Sequence, residues 1–179
     1  MRDFGFYRNC FENLNTARKG RVPAPHKPLL LLAIMEMIER GSISSNRIEL
    51  SDELIRTFKI NAKRYIGNSI VFKPNIGYPF YHLQNEPFWS LRSKTMALDM
   101  AAEPNSGYGS SKPVYSIKGL KERYGYAMID QELFELLRNP DACAKLRTTL
   151  IATYLSQQPN IVAPLASFSA IISLTTIIA

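Results

Sequence analysis

The segment 29–40 constrains the fold of this chain more than any other part of the sequence. Its residues are apolar on nearly every side of a helix, beginning with Leu29-Leu30-Leu31-Leu32, and a helix without a polar face has to be buried. Pro28 suits the first turn of a helix, and Gly41 suits the position just after its end. The pattern therefore predicts a buried central helix with the rest of the chain packed around it.

The remaining elements are predicted from hydrophobic periodicity and capping signals. Helices are expected over residues 3–19, 51–66, 116–124, 131–137 and 141–155, with a short strand at 47–50. Two aromatic segments, 79–84 and 88–92, are expected to pair as a β-hairpin across Asn85-Glu86-Pro87. The predicted fold class is α+β and mainly α-helical: a helical body with a winged-helix-like element and an aromatic β-hairpin.

Length and composition favour one globular domain. The chain has 179 residues, of which 46% are hydrophobic and 21% charged, enough for a single substantial core. We expect one domain over residues 1–158, followed by an apolar tail or the start of a linker over 159–179. Residues 161–179 carry no charge, but Pro164 and recurring hydroxyl residues make a docked tail more consistent than a membrane anchor.

The excess positive charge lies entirely in the first half of the chain. The net charge is +7, and residues 1–94 hold 15 Lys and Arg against 8 Asp and Glu, whereas residues 95–179 hold 7 against 7. A segregated basic surface most often faces a polyanion such as nucleic acid. A solvated face that keeps the protein in solution is the open alternative.

Several functional classes find no support in the motifs. Cys10 and Cys143 are too few and too far apart for a disulfide scaffold or a CxxC metal site, and the two histidines have no obvious metal-ligand partners. No GxSxG, P-loop or Gly-rich dinucleotide motif occurs. We expect no catalytic residue, metal, cofactor or small-molecule substrate, and, because no secretory signal opens the chain, a cytoplasmic location.

Both histidines lie beside prolines, in the motifs Ala24-Pro25-His26-Lys27-Pro28 and Gly77-Tyr78-Pro79-Phe80-Tyr81-His82. A proline ring offers an apolar surface without an N–H donor, so the two motifs predict a small pocket with one apolar and one cationic wall. In the second motif, Tyr78, Pro79 and His82 are the better candidates for exposure. The open alternatives are that His26 only caps a helix and that the second motif only packs on the core.

A basic, proline-broken loop leads into the central helix. It contains Arg18, Lys19 and Arg21, and Lys27 follows at the start of the helix. Free N–H groups and the helix dipole favour an anion at that position. The alternative is that Lys27 is a solvated charge of the first turn.

The run Pro25 to Ala33, with Tyr78 to Leu83 and Phe88-Trp89, resembles the sulfur-binding domain of bacterial phosphorothioate-dependent restriction endonucleases, the McrA-like type IV enzymes with an HNH nuclease. The resemblance covers about residues 3–155. It implies a non-catalytic module that recognises double-stranded DNA with sulfur in place of one backbone oxygen. It also implies that an HNH nuclease domain can follow in the natural chain. The alternative is a winged-helix-like transcriptional regulator that binds unmodified DNA.

The resemblance also assigns residues to roles. It implies a sulfur cavity of Tyr78, Pro79 and His82, with His26 and Lys27 on the other wall. His82 stands where relatives carry a small residue, and Lys27 stands where a relative can carry Arg, so the cavity is expected to be narrower and to lack bidentate phosphate binding. The residues expected to hold the DNA backbone are Arg18, Lys19, Arg21 and Lys27, and those expected to read bases are Asn105, Ser106, Tyr108, Ser110 and Lys112.

Overall fold

The computed structural model describes residues 2–20, 22–67, 72–94 and 114–156, apart from the side chain of Lys19. It is mainly helical with a small antiparallel sheet, which confirms the predicted α+β class. The elements are α1 (Phe4–Glu12), β1 (Arg18–Lys19), β2 (Val22–Pro23), α2 (His26–Glu39), β3 (Arg47–Ile48), α3 (Asp52–Ile66), α4 (Gly77–His82), a 3-10 turn (Leu83–Asn85), β4 (Trp89–Ser93), α5 (Ile117–Arg123), β5 (Tyr124–Ile129), α6 (Gln131–Arg138), α7 (Pro140–Leu150) and a π-helical turn (Ile151–Leu155).

Helix α2 is the centre of the fold, as its sequence predicts. Every residue from Lys27 to Ile38 except Glu36 is buried, and the helix packs against α3, α4, α6 and α7. Its C-cap is Arg40, and Gly41 follows with φ +76, a left-handed conformation that glycine adopts without steric cost. The short strand β3 and the helix α3 come next in the chain, as predicted, whereas the hairpin that would complete the predicted winged-helix-like order does not form.

The first helix is shorter than predicted. Helix α1 ends at Glu12 rather than near residue 19, because the hydroxyl of Tyr154 donates to the carbonyl of Glu12 and accepts from the amide of Leu14. The chain then forms the hairpin of β1 and β2, with Gly20 in the turn at φ +61. The predicted basic loop is therefore an antiparallel hairpin.

The predicted aromatic β-hairpin is wrong. The segment expected as its first strand forms helix α4 and the 3-10 turn. Pro79 lies in the first turn of α4, where its missing N–H costs no intrahelical hydrogen bond. The segment expected as the second strand forms β4, which pairs with β5, a strand that the sequence did not predict. The sheet has the order β3-β5-β4. Short aromatic runs fit either element, and here the contact of α4 with α2 favours the helix.

The other helices follow their capping signals. Ser51, Ser116 and Asn139 accept hydrogen bonds from the first turns of α3, α5 and α7. Within the described ranges, no helix combines the length and the apolar character needed to cross a membrane. The predicted tail, residues 159–179, lies outside those ranges, so the domain boundary at 158 stays a prediction.

Candidate functional site

A cavity of about 620 Å³ brings the two histidine–proline motifs together. Its lining includes all five residues proposed for a pocket from the sequence, namely His26, Lys27, Tyr78, Pro79 and His82. The first two begin α2 and the other three belong to α4, and these helices contact each other directly. Packing of the two helices therefore brings motifs that are distant in sequence into the lining of one cavity.

Helix α4 presents its residues differently from the predicted strand. Tyr78 and His82 are four positions apart and share one face of the helix, with Tyr78 47% exposed and His82 half-buried. Pro79 is buried, so its expected exposure is wrong. It nevertheless lines the cavity, where its ring supplies apolar surface without a donor.

Tyr115 holds the two aromatic rings of this wall in place. Its ring stacks on His82 at 5.2 Å between centroids and lies 4.8 Å from the ring of Tyr78. Tyr81 meets both Tyr115 and His82 edge to face. A Cβ atom at position 77 would overlap the carbonyl oxygen of Tyr115, so this close approach requires Gly77. Tyr115 belongs to neither histidine–proline motif, so no local signal in the sequence indicates this role.

The imidazole of His82 is uncharged at neutral pH. Burial lowers its pKa below the usual 6.5, and the positive charge of Lys27 lowers it further. The apolar wall of the cavity therefore carries a neutral aromatic ring rather than a cation.

His26 is a wall residue of the cavity and not a helix cap. The N-cap of α2 is Pro25, and no side chain caps this helix. The His26 ring instead donates from Nε2 to the carbonyl oxygen of Lys73 at 2.9 Å and meets Phe72 edge to face. The alternative that His26 only caps the helix is wrong.

Lys27 is buried and paired. Its side chain is 7% exposed, and its ammonium lies 2.5 Å from Oε1 of Glu86, whose side chain is 6% exposed. The same oxygen accepts a hydrogen bond from the backbone N–H of Asn15 at 3.0 Å. The alternative of a solvated charge is wrong. The buried ammonium is also not accessible for the predicted contact with the DNA backbone, although Lys27 does line the cavity.

Further lining comes from the chain between α1 and α2. Arg18 is exposed and lines the cavity, and its contact with the DNA backbone stays a prediction. The sequence analysis did not select the other lining residues, which are Asn15, Thr16, Ala17, Ala24, Phe72 and Asn85. Apart from Ala24, which begins the first histidine–proline motif, these residues belong to neither motif, so only their position in the fold identifies them.

The remaining predicted residues stay untested by the geometry. The side chain of Lys19, all of Arg21, and the five residues proposed to read bases (Asn105, Ser106, Tyr108, Ser110 and Lys112) lie outside the part of the chain that the structure describes. In that part, no three His, Cys, Asp or Glu side chains come together to hold a metal ion.

Comparison with known proteins identifies the family. Residues 7–163 match the model of the ScoMcrA-like DNA sulfur-binding domain, and the chain belongs to this family, as the sequence resemblance implied. A solved structure of similar fold is the sulfur binding domain of SprMcrA complexed with phosphorothioated DNA, with a TM-score of 0.58 and 17% identity over 85% of each chain. At that identity the likeness shows the shared fold. The comparison with curated proteins finds no match.

Proposed function

We propose that this chain binds phosphorothioate-modified double-stranded DNA, and that the cavity between α2 and α4 receives the sulfur. The observation that carries the proposal is the meeting of both histidine–proline motifs in one cavity, with Tyr78, Pro79 and His82 facing the start of α2. Family membership supports it. So does the phosphorothioated DNA bound to the SprMcrA domain of similar fold.

The chemistry of the cavity favours sulfur over oxygen. A phosphate oxygen that loses its water without gaining a hydrogen-bond donor costs about 1–3 kcal/mol. Pro79 has no N–H, and the face of the Tyr78 ring offers no hydrogen, so a phosphate oxygen placed against these two residues gains no donor there. Sulfur is larger, more polarisable and a weaker acceptor, and it therefore loses less on entering the cavity. Selectivity then arises mainly from rejection of ordinary phosphate.

The buried ion pair contributes to the same selectivity. A free ammonium beside the cavity would attract any phosphate, with or without sulfur. Because the ammonium of Lys27 is paired with Glu86, Lys27 adds less of that attraction, and its stem supplies apolar surface instead. Affinity for the DNA backbone then comes from the exposed Arg18 and from Lys19 and Arg21, which follow it closely in sequence, in a salt-dependent manner.

The proposal assigns the chain a recognition role in a modification-dependent restriction system. An HNH nuclease elsewhere in the natural protein would perform cleavage. Base readout by the segment around Asn105 to Lys112 belongs to the same proposal, since its amide, hydroxyl and ammonium donors suit base edges.

The direct test compares short duplexes with and without one stereodefined phosphorothioate, by fluorescence anisotropy at about 0.1 M salt. We expect the sulfur duplex to bind at least tenfold more tightly, about 1.4 kcal/mol. Equal binding of both duplexes would contradict the proposal and favour a regulator of unmodified DNA.

Substitutions in the cavity test its assignment. Tyr78→Ser and Pro79→Ser are expected to remove most of the sulfur preference while leaving weak, salt-sensitive DNA binding, because they disrupt the apolar wall. Tyr126→Ser is the matched control, since Tyr126 packs under Arg47 on the sheet, outside the cavity lining. Full sulfur preference in both cavity variants would show that the sulfur binds elsewhere.

A further inference from the structure

We infer that the exposed face of α3 is a second surface for the DNA backbone. This basic face consists of Arg56, Lys59, Lys63 and Arg64, all exposed. The inference rests on the proposed function for its partner, duplex DNA, and it adds a contact that the sequence motifs did not indicate.

The charges on this face have little acidic compensation, although Arg56 is close enough to Asp52 to help lower the pKa of that carboxyl, after the larger effect of Lys121. The opposite side of α3 is buried through Leu54, Phe58 and Ala62, so the helix has one apolar and one cationic side. No acidic residue occurs between Arg56 and Gly67. In the described part of the chain no ion pair involves the four cations, whereas the acids at the start of the helix are engaged, Asp52 by Lys121 and Glu53 by Arg40.

Placement next to the cavity distinguishes this face from an ordinary solvated surface. A groove of about 300 Å³ is lined by Lys59, Asn75 and Tyr115, among other residues. Tyr115 in turn stacks on Tyr78 and His82 of the cavity wall. Arg18 therefore lines the cavity, and Tyr115 links the cavity wall to the groove that Lys59 lines.

This order suits a charged strand. A DNA strand carries one phosphate every 3.4 Å of helix axis, so a duplex with one modified phosphate in the cavity has further phosphates on both sides of it. The β1–β2 hairpin with Arg18 borders the cavity itself, and the basic face of α3 lies beyond Tyr115. Two cationic surfaces would then hold the backbone on either side of the sulfur.

Helix electrostatics alone do not account for the face. Lys63 and Arg64 lie in the last turn of α3, where the helix dipole favours cations. Arg56 and Lys59 lie in earlier turns, beyond the reach of that effect. Ile60, 50% exposed, lies between these cations and, with Tyr78, is one of the two exposed large hydrophobic residues in the described ranges. Ile60 could offer an apolar contact to a deoxyribose ring between the cations.

The test measures the salt dependence of binding for the double variant Lys59→Gln/Lys63→Gln, with sulfur-modified and unmodified duplexes. We expect both duplexes to bind roughly tenfold more weakly at about 0.1 M salt, and the slope of log affinity against log salt to fall by about two. The ratio between the two duplexes is expected to stay at its wild-type value, because the face contacts phosphates and not the sulfur.

The control double variant Arg138→Gln/Lys145→Gln removes the same charge from α6 and α7, away from both cavities. It is expected to bind nearly as the wild type does. Wild-type affinity and slope in the α3 variant, or an equal loss in the control, would overturn the inference. Charge reversal by Lys59→Glu, with the melting temperature measured alongside, is expected to weaken binding without unfolding the protein.

The two proposals fail separately. A wild-type protein that binds both duplexes equally, but loses affinity and slope in the α3 variant, would refute the sulfur assignment and leave the basic face in place. A wild-type protein that prefers sulfur, with an α3 variant of unchanged slope, would refute only the basic face.

Discussion

His82 shows how one residue couples the cavity to the stability of the fold. It lies half-buried between Tyr81 and Tyr115, on the wall opposite the start of α2. Burial and the nearby charge of Lys27 both disfavour its protonated form. The folded protein therefore favours the neutral imidazole, which suits a wall proposed to receive a poorly hydrated sulfur.

A pH-dependent stability follows from this lowered pKa. Unfolded His82 takes up its proton near pH 6.5, whereas the folded residue resists protonation to a lower pH. Between those two pKa values the unfolded state binds more protons, so stability falls as the pH drops. We expect the free energy of unfolding to decrease from pH 7.5 towards pH 5.5, measured by urea denaturation.

The variant His82→Asn isolates this contribution. It is expected to show a smaller decrease over the same pH range than the wild type, because the titrating group is gone. The variant His26→Asn, which replaces the other histidine of the cavity, is measured over the same pH range for comparison. A wild-type protein and a His82 variant with parallel pH profiles would show that other groups cause the dependence.

At the scale of elements, the buried ion pair joins three parts of the chain. Lys27 begins α2, Glu86 follows the 3-10 turn before β4, and the Asn15 amide belongs to the segment after α1. A buried pair is not a large source of net stability, since desolvation offsets the attraction. Replacing only one of the two side chains is costly, because the remaining charge stays buried without a partner.

Glu86→Gln is therefore expected to destabilise the protein by about 3–5 kcal/mol. Glutamine can still accept from the Asn15 amide, so the loss reports mainly on the unpaired ammonium. Glu12→Gln, which breaks the exposed pair with Arg8, is expected to cost less than about 1 kcal/mol. Chemical denaturation measures both values, and a Glu86 variant as stable as the Glu12 variant would contradict a buried, coupled pair.

The elements also show what the sequence can predict. Helix α2 is apolar on all sides and α3 carries a serine cap with helical periodicity, so local signals identify both. The aromatic run of α4 fits a helix or a strand equally well, and only its packing on α2 decides between them. The strand β5 pairs with partners far away in sequence, which no local pattern reveals.

The candidate site, too, could be predicted only where its signals are local in sequence. Its two motifs are contiguous and chemically unusual, so His26, Lys27, Tyr78, Pro79 and His82 could be selected from the sequence. Their surroundings depend on long-range contacts. Tyr115 contacts the rings of Tyr78 and His82 in the cavity lining, and Glu86 pairs with Lys27. Both partners are distant in sequence from the residues that they contact, so neither could be predicted.

On the scale of the whole molecule, the fold is closed by contacts between its two ends. The π-helical turn Ile151–Leu155 buries Tyr154 and Leu155. The hydroxyl of Tyr154 also bonds the carbonyl of Glu12 and the amide of Leu14, at the end of α1. This tie fixes the segment that continues into Asn15 and Arg18 at the cavity, so the last turn supports the site from a distance.

Two shortened chains test this arrangement. A chain ended after residue 158 keeps the last turn, and we expect it to retain both the melting temperature and the sulfur preference of the full chain. A chain ended after residue 150 loses Tyr154 and Leu155 from the core, and we expect it to lose cooperative unfolding and DNA binding together, since two large buried side chains are worth several kcal/mol (roughly 2–5 each) of a marginal total. Circular dichroism melts and anisotropy measure the two properties.

If the chain ended at 158 unfolded instead, residues 159–179 would belong to the domain, and the boundary predicted from composition would be misplaced. If the chain ended at 150 folded and bound normally, the tie between the ends would be dispensable for the cavity.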